Sequence, residues 1–229
     1  MESIYLSVIL PVLNEENAIA QTLLSLETPG VEVILVDGGS TDQTVEIAQK
    51  LGIKVIVSPE SGRGVQMNIG ANHASADTLL FLHADTHLPP NYPQLIQETL
   101  DQPQTVAGAF LLKINSKNKL LRIVEKGVNA RSRFLQMPYG DQGIFLKKET
   151  FNQSGGFPLL PVMEDFQFIK CLKKQGKIRL ASASVLTSAR RWEKVGVIKT
   201  TLINQMIIIG YFFGISPSKL NKWYRQSGN

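Results

Sequence analysis

Residues 31–59 read VEVILVDGGSTDQTVEIAQKLGIKVIVSP. Val31 to Val36 form an apolar, β-branched run that stops at Asp37-Gly38-Gly39, which is turn chemistry. Residues 42–52 have helical spacing and close on Gly52, and residues 53–59 make a second apolar strand. A strand–helix–strand unit with connections this short joins parallel strands through a right-handed crossover. The same alternation extends both ways. Residues 4–12 predict a strand and 17–26 a helix; residues 63–74 predict a helix and 77–85 a strand. The order β-α-β-α-β-α-β predicts an α/β fold with a mostly parallel central sheet and helices on both faces.

Beyond Pro89-Pro90 the pattern loosens. Residues 92–100 and 119–135 predict helices, 105–115 and 143–151 strands, and 166–174 a helix stopped by Gly176. No internal repeat, low-complexity tract or linker divides the chain. Its last apolar stretch, residues 197–216, has an uninterrupted part of about half the length a bilayer crossing requires. Three uses stay open for it: burial, dimerisation, or a peripheral place at a membrane interface.

The 229 residues carry a net charge of +5, and 43% are hydrophobic, a globular composition with a preference for anionic partners. The basic residues are scattered without an aromatic-basic stripe, which excludes a nucleic-acid partner. One cysteine, Cys171, and no basic leader before the first strand lead to the expectation of a cytoplasmic protein.

Ligands of open parallel sheets bind beyond the carboxyl ends of the strands. Four polar groups fall there: PVLNEE (11–16), VDGGSTD (36–42), SPESGRG (58–64) and HAD (83–85). Asp37 suits a nucleobase or ribose, with Gly38 permitting close approach. Ser40 and Gln43 have the spacing of a capping box, and Ser40, Thr41 and Asp42 read as caps without functional role. Arg63, between two glycines ahead of a helix, suits a phosphate. Asn68 and His73 read as ordinary helix-surface residues.

His83, Asp85 and His87 alternate, so on a continued strand they would share one face. That admits a two-histidine, one-carboxylate iron or zinc centre. The favoured reading is Asp85 alone holding Mg²⁺ or Mn²⁺ against a diphosphate, because such ions need only one or two protein carboxylates. Glu164-Asp165 head an amphipathic helix, where acidic residues favour the first turn. The bent loop of Gly155, Gly156, Pro158 and Pro161 could carry Asp165 to a cleft as a general base. Arg190 and Arg191, in a segment expected to be mobile, could neutralise a leaving diphosphate.

Taken together, PVLNEE, VDGGSTDQT, GRGVQMNIGA, FLHADT, YGDQGIF, GGFP and MEDFQF resemble the family 2 glycosyltransferases of the GT-A fold, most closely a small bacterial subgroup with a His-Ala-Asp metal motif. The resemblance implies a GT-A domain over residues 1–195, its nucleotide-binding half about 1–90 and its acceptor half about 91–195, with residues 196–229 as apolar helix and tail. It implies that Pro11, Leu13, Glu15, Asp37 and Gly38 hold the nucleotide, with Arg63, His83 and Ala84 nearby. Asp85 would hold the metal, Asp165 would be the base with Glu164 its companion, and Asp141 would face donor sugar or acceptor. The expected activity is inverting transfer from a nucleoside-diphosphate sugar to a hydroxyl or carboxyl of a small or lipid-like acceptor. A catalytically silent sugar-nucleotide binding module and a nucleotidyltransferase are the alternatives. SARRW lacks the preceding glutamine of processive members, so polymer synthesis is not expected.

Overall fold

The computed structural model describes residues 3–227. One eight-stranded sheet organises the chain, in the order β3-β2-β1-β4-β7-β6-β8-β5. The strands are β1 (Leu6–Val12), β2 (Val31–Asp37), β3 (Lys54–Val57), β4 (Thr78–Phe81), β5 (Thr86–His87), β6 (Thr105–Asn115), β7 (Ile144–Lys147) and β8 (Lys177–Ser188). β1 to β4 are mutually parallel, as expected; β7 runs antiparallel to both β4 and β6, β6 and β8 pair in parallel, and β5 pairs antiparallel with β8.

Alternation along the strands builds a core on each face. In β1, Leu6, Val8, Leu10 and Val12 face one core while Ile9 faces the other; in β4, Leu80 faces the first and Leu79 and Phe81 the second. All seven residues of β1 are buried, so a strand covered on both sides reads as a continuous apolar run. The second core contains a phenylalanine cluster. Phe157 lies 4.1 Å from Phe168 and 4.8 Å from Phe81, ring centre to ring centre, and anchors the Gly155–Pro161 loop beneath the sheet edge.

Helices α1 (Glu16–Ser25), α2 (Thr44–Lys50) and α3 (Arg63–His73) make the crossovers. They are followed by α4 (Tyr92–Leu100), α5 (Lys119–Leu135), α6 (Lys148–Ser154), α7 (Glu164–Leu172), α8 (Arg190–Val195), α9 (Val197–Phe212) and α10 (Pro217–Gln226). The expected strand at 143–151 is only half strand: after Lys147 the chain turns into α6. The expected capping box at Ser40 and Gln43 does not form. Asp42 takes that role, accepting from the Thr44 backbone N–H at 3.0 Å.

β1 and β4 stay paired only as far as Ile9 and Phe81, with one further bond from the Leu82 N–H to the Ile9 carbonyl. Pro11, which has no N–H, sits where β1 pairs only with β2. The two strands therefore part, and the crevice opens at the point where strand order reverses.

Candidate active site

Beyond the end of β4, beside the crevice, segments far apart in sequence line one cavity. The cavity, of about 350 Å³, takes Arg63 from the start of α3, His83 and Asp85 from beyond β4, and Asp141 from a 3₁₀ turn at Gly140–Gln142. Asp165 comes from the first turn of α7, and Arg190, Arg191 and Trp192 from α8.

Asp165 is held by two backbone donors. The Gly140 N–H reaches its Oδ2 at 2.8 Å, and its own neighbour Phe166 N–H reaches Oδ1 at 2.7 Å. Met163 caps α7 with φ of 69°, a left-handed conformation costly for a methionine, so the chain enters this helix through a forced bend. The turn carrying Gly140 is in turn fixed by Gln142, which is fully buried. Its Oε1 accepts from Ser132 Oγ at 2.7 Å, and its amide donates to the Phe110 carbonyl at 2.9 Å. A Cβ added at Gly140 would lie 3.0 Å from His83 Nε2 and 3.4 Å from Asp165 Oδ2, so glycine here keeps the imidazole and the carboxylate on one side of the turn.

Glu164 is buried, and its Oε1 pairs with Arg63 Nε at 2.9 Å; burial raises its pKa. Arg63, expected at a phosphate, is thus tied to the acidic pair while 45% of its side chain stays exposed to the cavity. His83 is neutral at physiological pH: burial, then the nearby Arg63 charge, lowers its pKa to about 4. Asp141 is pushed the other way by burial, to about 6.

The alternation argument for His83, Asp85 and His87 fails. The strand ends at Phe81, the chain turns with the Thr86 N–H bonded to the His83 carbonyl, and His87 opens on a neighbouring hollow that excludes His83. Among the described residues no three His, Cys, Asp or Glu side chains cluster as a metal cage, which a two-histidine, one-carboxylate iron or zinc centre would require. Asp85, with a side chain 25% exposed, faces Arg190, whose Nη2 lies 3.1 Å from Asp85 Oδ2 and 2.7 Å from Glu15 Oε2. Arg190 therefore spans the crevice from the end of β1 to the end of β4. The segment expected to be mobile is anchored: the Ser188 N–H also donates to the Asp85 carbonyl.

Asp37, Gly38, Leu13 and Pro11 lie outside this cavity, along the β1–β2 edge, and Ala84 lies outside it beyond β4. Asp37 is buried, its carboxylate accepting from the N–H groups of Gly39 and Ser40 at 3.0 Å each. Gly38 donates to the Val12 carbonyl, Leu13 is 44% exposed, and Pro11 is buried within β1. Ala84 points into the core, its carbonyl accepting from Thr22.

Sequence reading missed the residues that hold this edge. Asn14, at φ of 56°, accepts from the Thr41 N–H, while its own N–H donates to Ser40 Oγ. Gln66 donates to the carbonyls of both Val12 and Val36, joining β1 to β2 under Gly38. Asn68 is no surface residue: it bonds Phe157 in both directions, 2.9 and 2.8 Å, and fixes the loop leading to Asp165. An amide inside a helix that also opens on a glycine loop was the available signal.

The model of glycosyl transferase family 2 matches residues 7–161. The chain belongs to glycosyl transferase family 2. The matched span ends before Glu164, Asp165 and the two arginines. An undecaprenyl-phosphate 4-deoxy-4-formamido-L-arabinose transferase of Edwardsiella ictaluri is 31% identical over 46% of this chain and 37% of its own length. The matched region takes in less than half the length of the curated relatives. Among solved structures, S. aureus TarS 1–349 in complex with UDP-GlcNAc superposes with a TM-score of 0.65 at 22% identity, over 80% of this chain and 58% of that one. The mannosyltransferase PcManGT of Pyrobaculum calidifontis, in complex with GDP-Man and Mn²⁺, gives 0.66 at 17% identity over 99% and 70%. These likenesses establish the GT-A fold for this family member.

Proposed function

We propose that the chain is an inverting, metal-assisted glycosyltransferase that moves a sugar from a nucleoside diphosphate to a hydroxyl or carboxyl of a small or lipid-like acceptor. The observation that carries this reading is the convergence of Asp85, Asp165, Asp141, Arg190 and Arg191 on one cavity beside the strand-order reversal. Pro11, Leu13, Glu15, Asp37 and Gly38 would form the rim for base and ribose, with Ala84 contributing backbone only.

The donor set fits a single divalent ion, Mg²⁺ or Mn²⁺. Asp85 offers one hard, partly exposed oxygen donor, and diphosphate and water would complete the coordination. Such an ion, when bound, neutralises charge on the diphosphate. Arg190 already lies against Asp85, and Arg191 lines the same cavity, so both guanidinium groups can face the departing phosphates. Neutral His83 adds a hydrogen-bonding edge without charge. The N–H groups of Gly140 and Phe166 orient Asp165. The acceptor's O–H proton passes to Asp165 as its oxygen bonds the anomeric carbon. On the opposite face the bond from that carbon to the diphosphate oxygen breaks, and the electron pair leaves with the nucleoside diphosphate.

Incubating the protein with UDP- and GDP-sugars and Mn²⁺ tests this reading through slow release of nucleoside diphosphate. Asp165→Asn is expected to lower that rate by about 10²- to 10⁴-fold, the range of a general base, while donor affinity stays unchanged. A near-normal rate in Asp165→Asn would overturn the assignment of the base. Donor binding with no release by the unaltered protein would favour the silent binding module.

A further inference from the structure

The reaction cavity adjoins a larger hollow of about 950 Å³ between α5, α7 and α9, with Val128, Arg131, Tyr139 and Phe166 in the wall of both. Its walls are mostly apolar, with Ile123, Phe134, Leu135, Met137 and Phe212 among them, and its charged members are all cations: Arg131, Lys170 and Lys173. The helices beside it also carry apolar residues on their outer surfaces. On α9, Ile198, Leu202, Met206 and Ile209 follow at intervals of four, four and three and are each more than half exposed. On α5, Ile123 and Phe134 are exposed by 67% and 79%. Packing explains the inward side of α9, where Thr200, Ile207 and Gly210 are buried, but not this outward stripe. The exposed charges on α5 and α9 are Lys119, Lys126, Arg133 and Lys199, with no exposed acid among them.

We propose that this hollow holds the aliphatic chain of an amphiphilic acceptor drawn from an anionic bilayer, so that its polar head reaches Asp165. The proposal rests on the transferase reading and names the acceptor class. Three features select this occupant. The apolar hollow shares a wall with the reaction cavity, so a chain lying in it would bring its head to that junction. Arg131 stands at the junction, held by the Met137 carbonyl, Gln142 Oε1 and the Tyr139 ring 3.5 Å away, and its fixed positive charge suits an anionic head. The outward charges are of one sign, which attracts an anionic surface and repels a second copy of this face. Among the described residues no helix is long and apolar enough to cross a membrane.

Titration with the fluorescent fatty acid cis-parinaric acid tests the hollow, and flotation with phosphatidylglycerol or phosphatidylcholine vesicles tests the face. The expected results are saturable uptake of one probe per chain and flotation with the anionic vesicles alone. Gly127, on α5 within the hollow, has open space where a Cβ would point, so Gly127→Trp can fill it; at least a tenfold loss of probe affinity is expected. Should Gly127→Trp fold poorly, Ile123→Glu at an exposed position is expected to give the same loss. No uptake, uptake insensitive to both substitutions, or equal flotation with both vesicles would overturn the proposal. A dimer that Gly127→Trp dissociates, without probe uptake, would give the hollow to a second copy and also overturn it. Donor calorimetry on the same samples separates the two readings. Probe uptake without binding of any nucleotide sugar would leave the hollow a lipid site and remove the transferase reading; donor hydrolysis without probe uptake would do the reverse.

Discussion

The two sides of the crevice treat their polar groups differently. Along the β1–β2 edge the key groups find partners within the chain: Asp37 takes two backbone N–H groups, Asn14 bonds Ser40 and Thr41, and Gln66 bridges two carbonyls. Across the crevice, buried side-chain atoms without a partner among the described residues are Asp141 Oδ1, Glu164 Oε2, Arg191 Nε and Nη2, and Trp192 Nε1. An unmet buried polar atom costs about 1–3 kcal/mol. One side spends its polarity on holding a shape; the other leaves polarity unmet where a charged, hydroxyl-rich ligand would meet it. A ligand-binding chamber supported by a rigid edge has this distribution.

Arg191 offers the largest effect with which to break that contrast. Its guanidinium lies 3.6 Å from the centre of the Tyr224 ring, an attraction that only partly offsets the two unbonded nitrogens. Arg191→Leu keeps the apolar packing and is expected to weaken donor binding by roughly 10- to 100-fold, from the loss of about 1.5–3 kcal/mol of charged hydrogen bonding. Thermal stability without donor should stay level or rise. A less stable protein with unchanged donor affinity, by calorimetry and thermal melting, would make Arg191 a structural residue and end the contrast.

Asp141 gives a smaller and sharper signal. Its pKa, raised by burial to about 6, lies above the ordinary carboxylate value, so the folded state prefers the protonated acid. That preference supports folding below pH ~4, and the support is lost as pH rises through about 6. Asp141→Asn is neutral at every pH. It should therefore match the parent protein's Tm near pH 4 and exceed it near pH 8 by a few degrees, on the order of 2 kcal/mol. A difference in Tm that does not change with pH would show that the carboxyl is not desolvated.

The two sides also differed in how well they could be read from sequence. β1 to β4 and their helices follow from local periodicity, and the helix at 119–135 was read to its observed ends. β8 was not legible, because Ala181, Ser182, Ala183 and Ser184 have little strand preference, and pairing with β6 supplies what the local sequence lacks. Motif and topology single out Asp85 and Asp165, and both side chains line one cavity. Their supports could not be found in this way: Asn68 meets Phe157 across 89 positions, and Arg190 meets Glu15 across 175. The same distance explains why Arg190 was taken for part of a mobile segment. Its anchors lie in the first half of the chain, and nothing in the neighbouring residues announces them.

In the proposed site, Asp85 shares the donor with Asp165 and the two arginines. Calorimetric titration of UDP- and GDP-sugars, with and without Mn²⁺, into the unaltered protein and Asp85→Ala tests it most directly. At least one sugar nucleotide is expected to bind, Mn²⁺ to tighten its binding, and Asp85→Ala to abolish the tightening. Binding of equal strength with and without the ion in both proteins, or no binding of any sugar nucleotide, would contradict the proposed site.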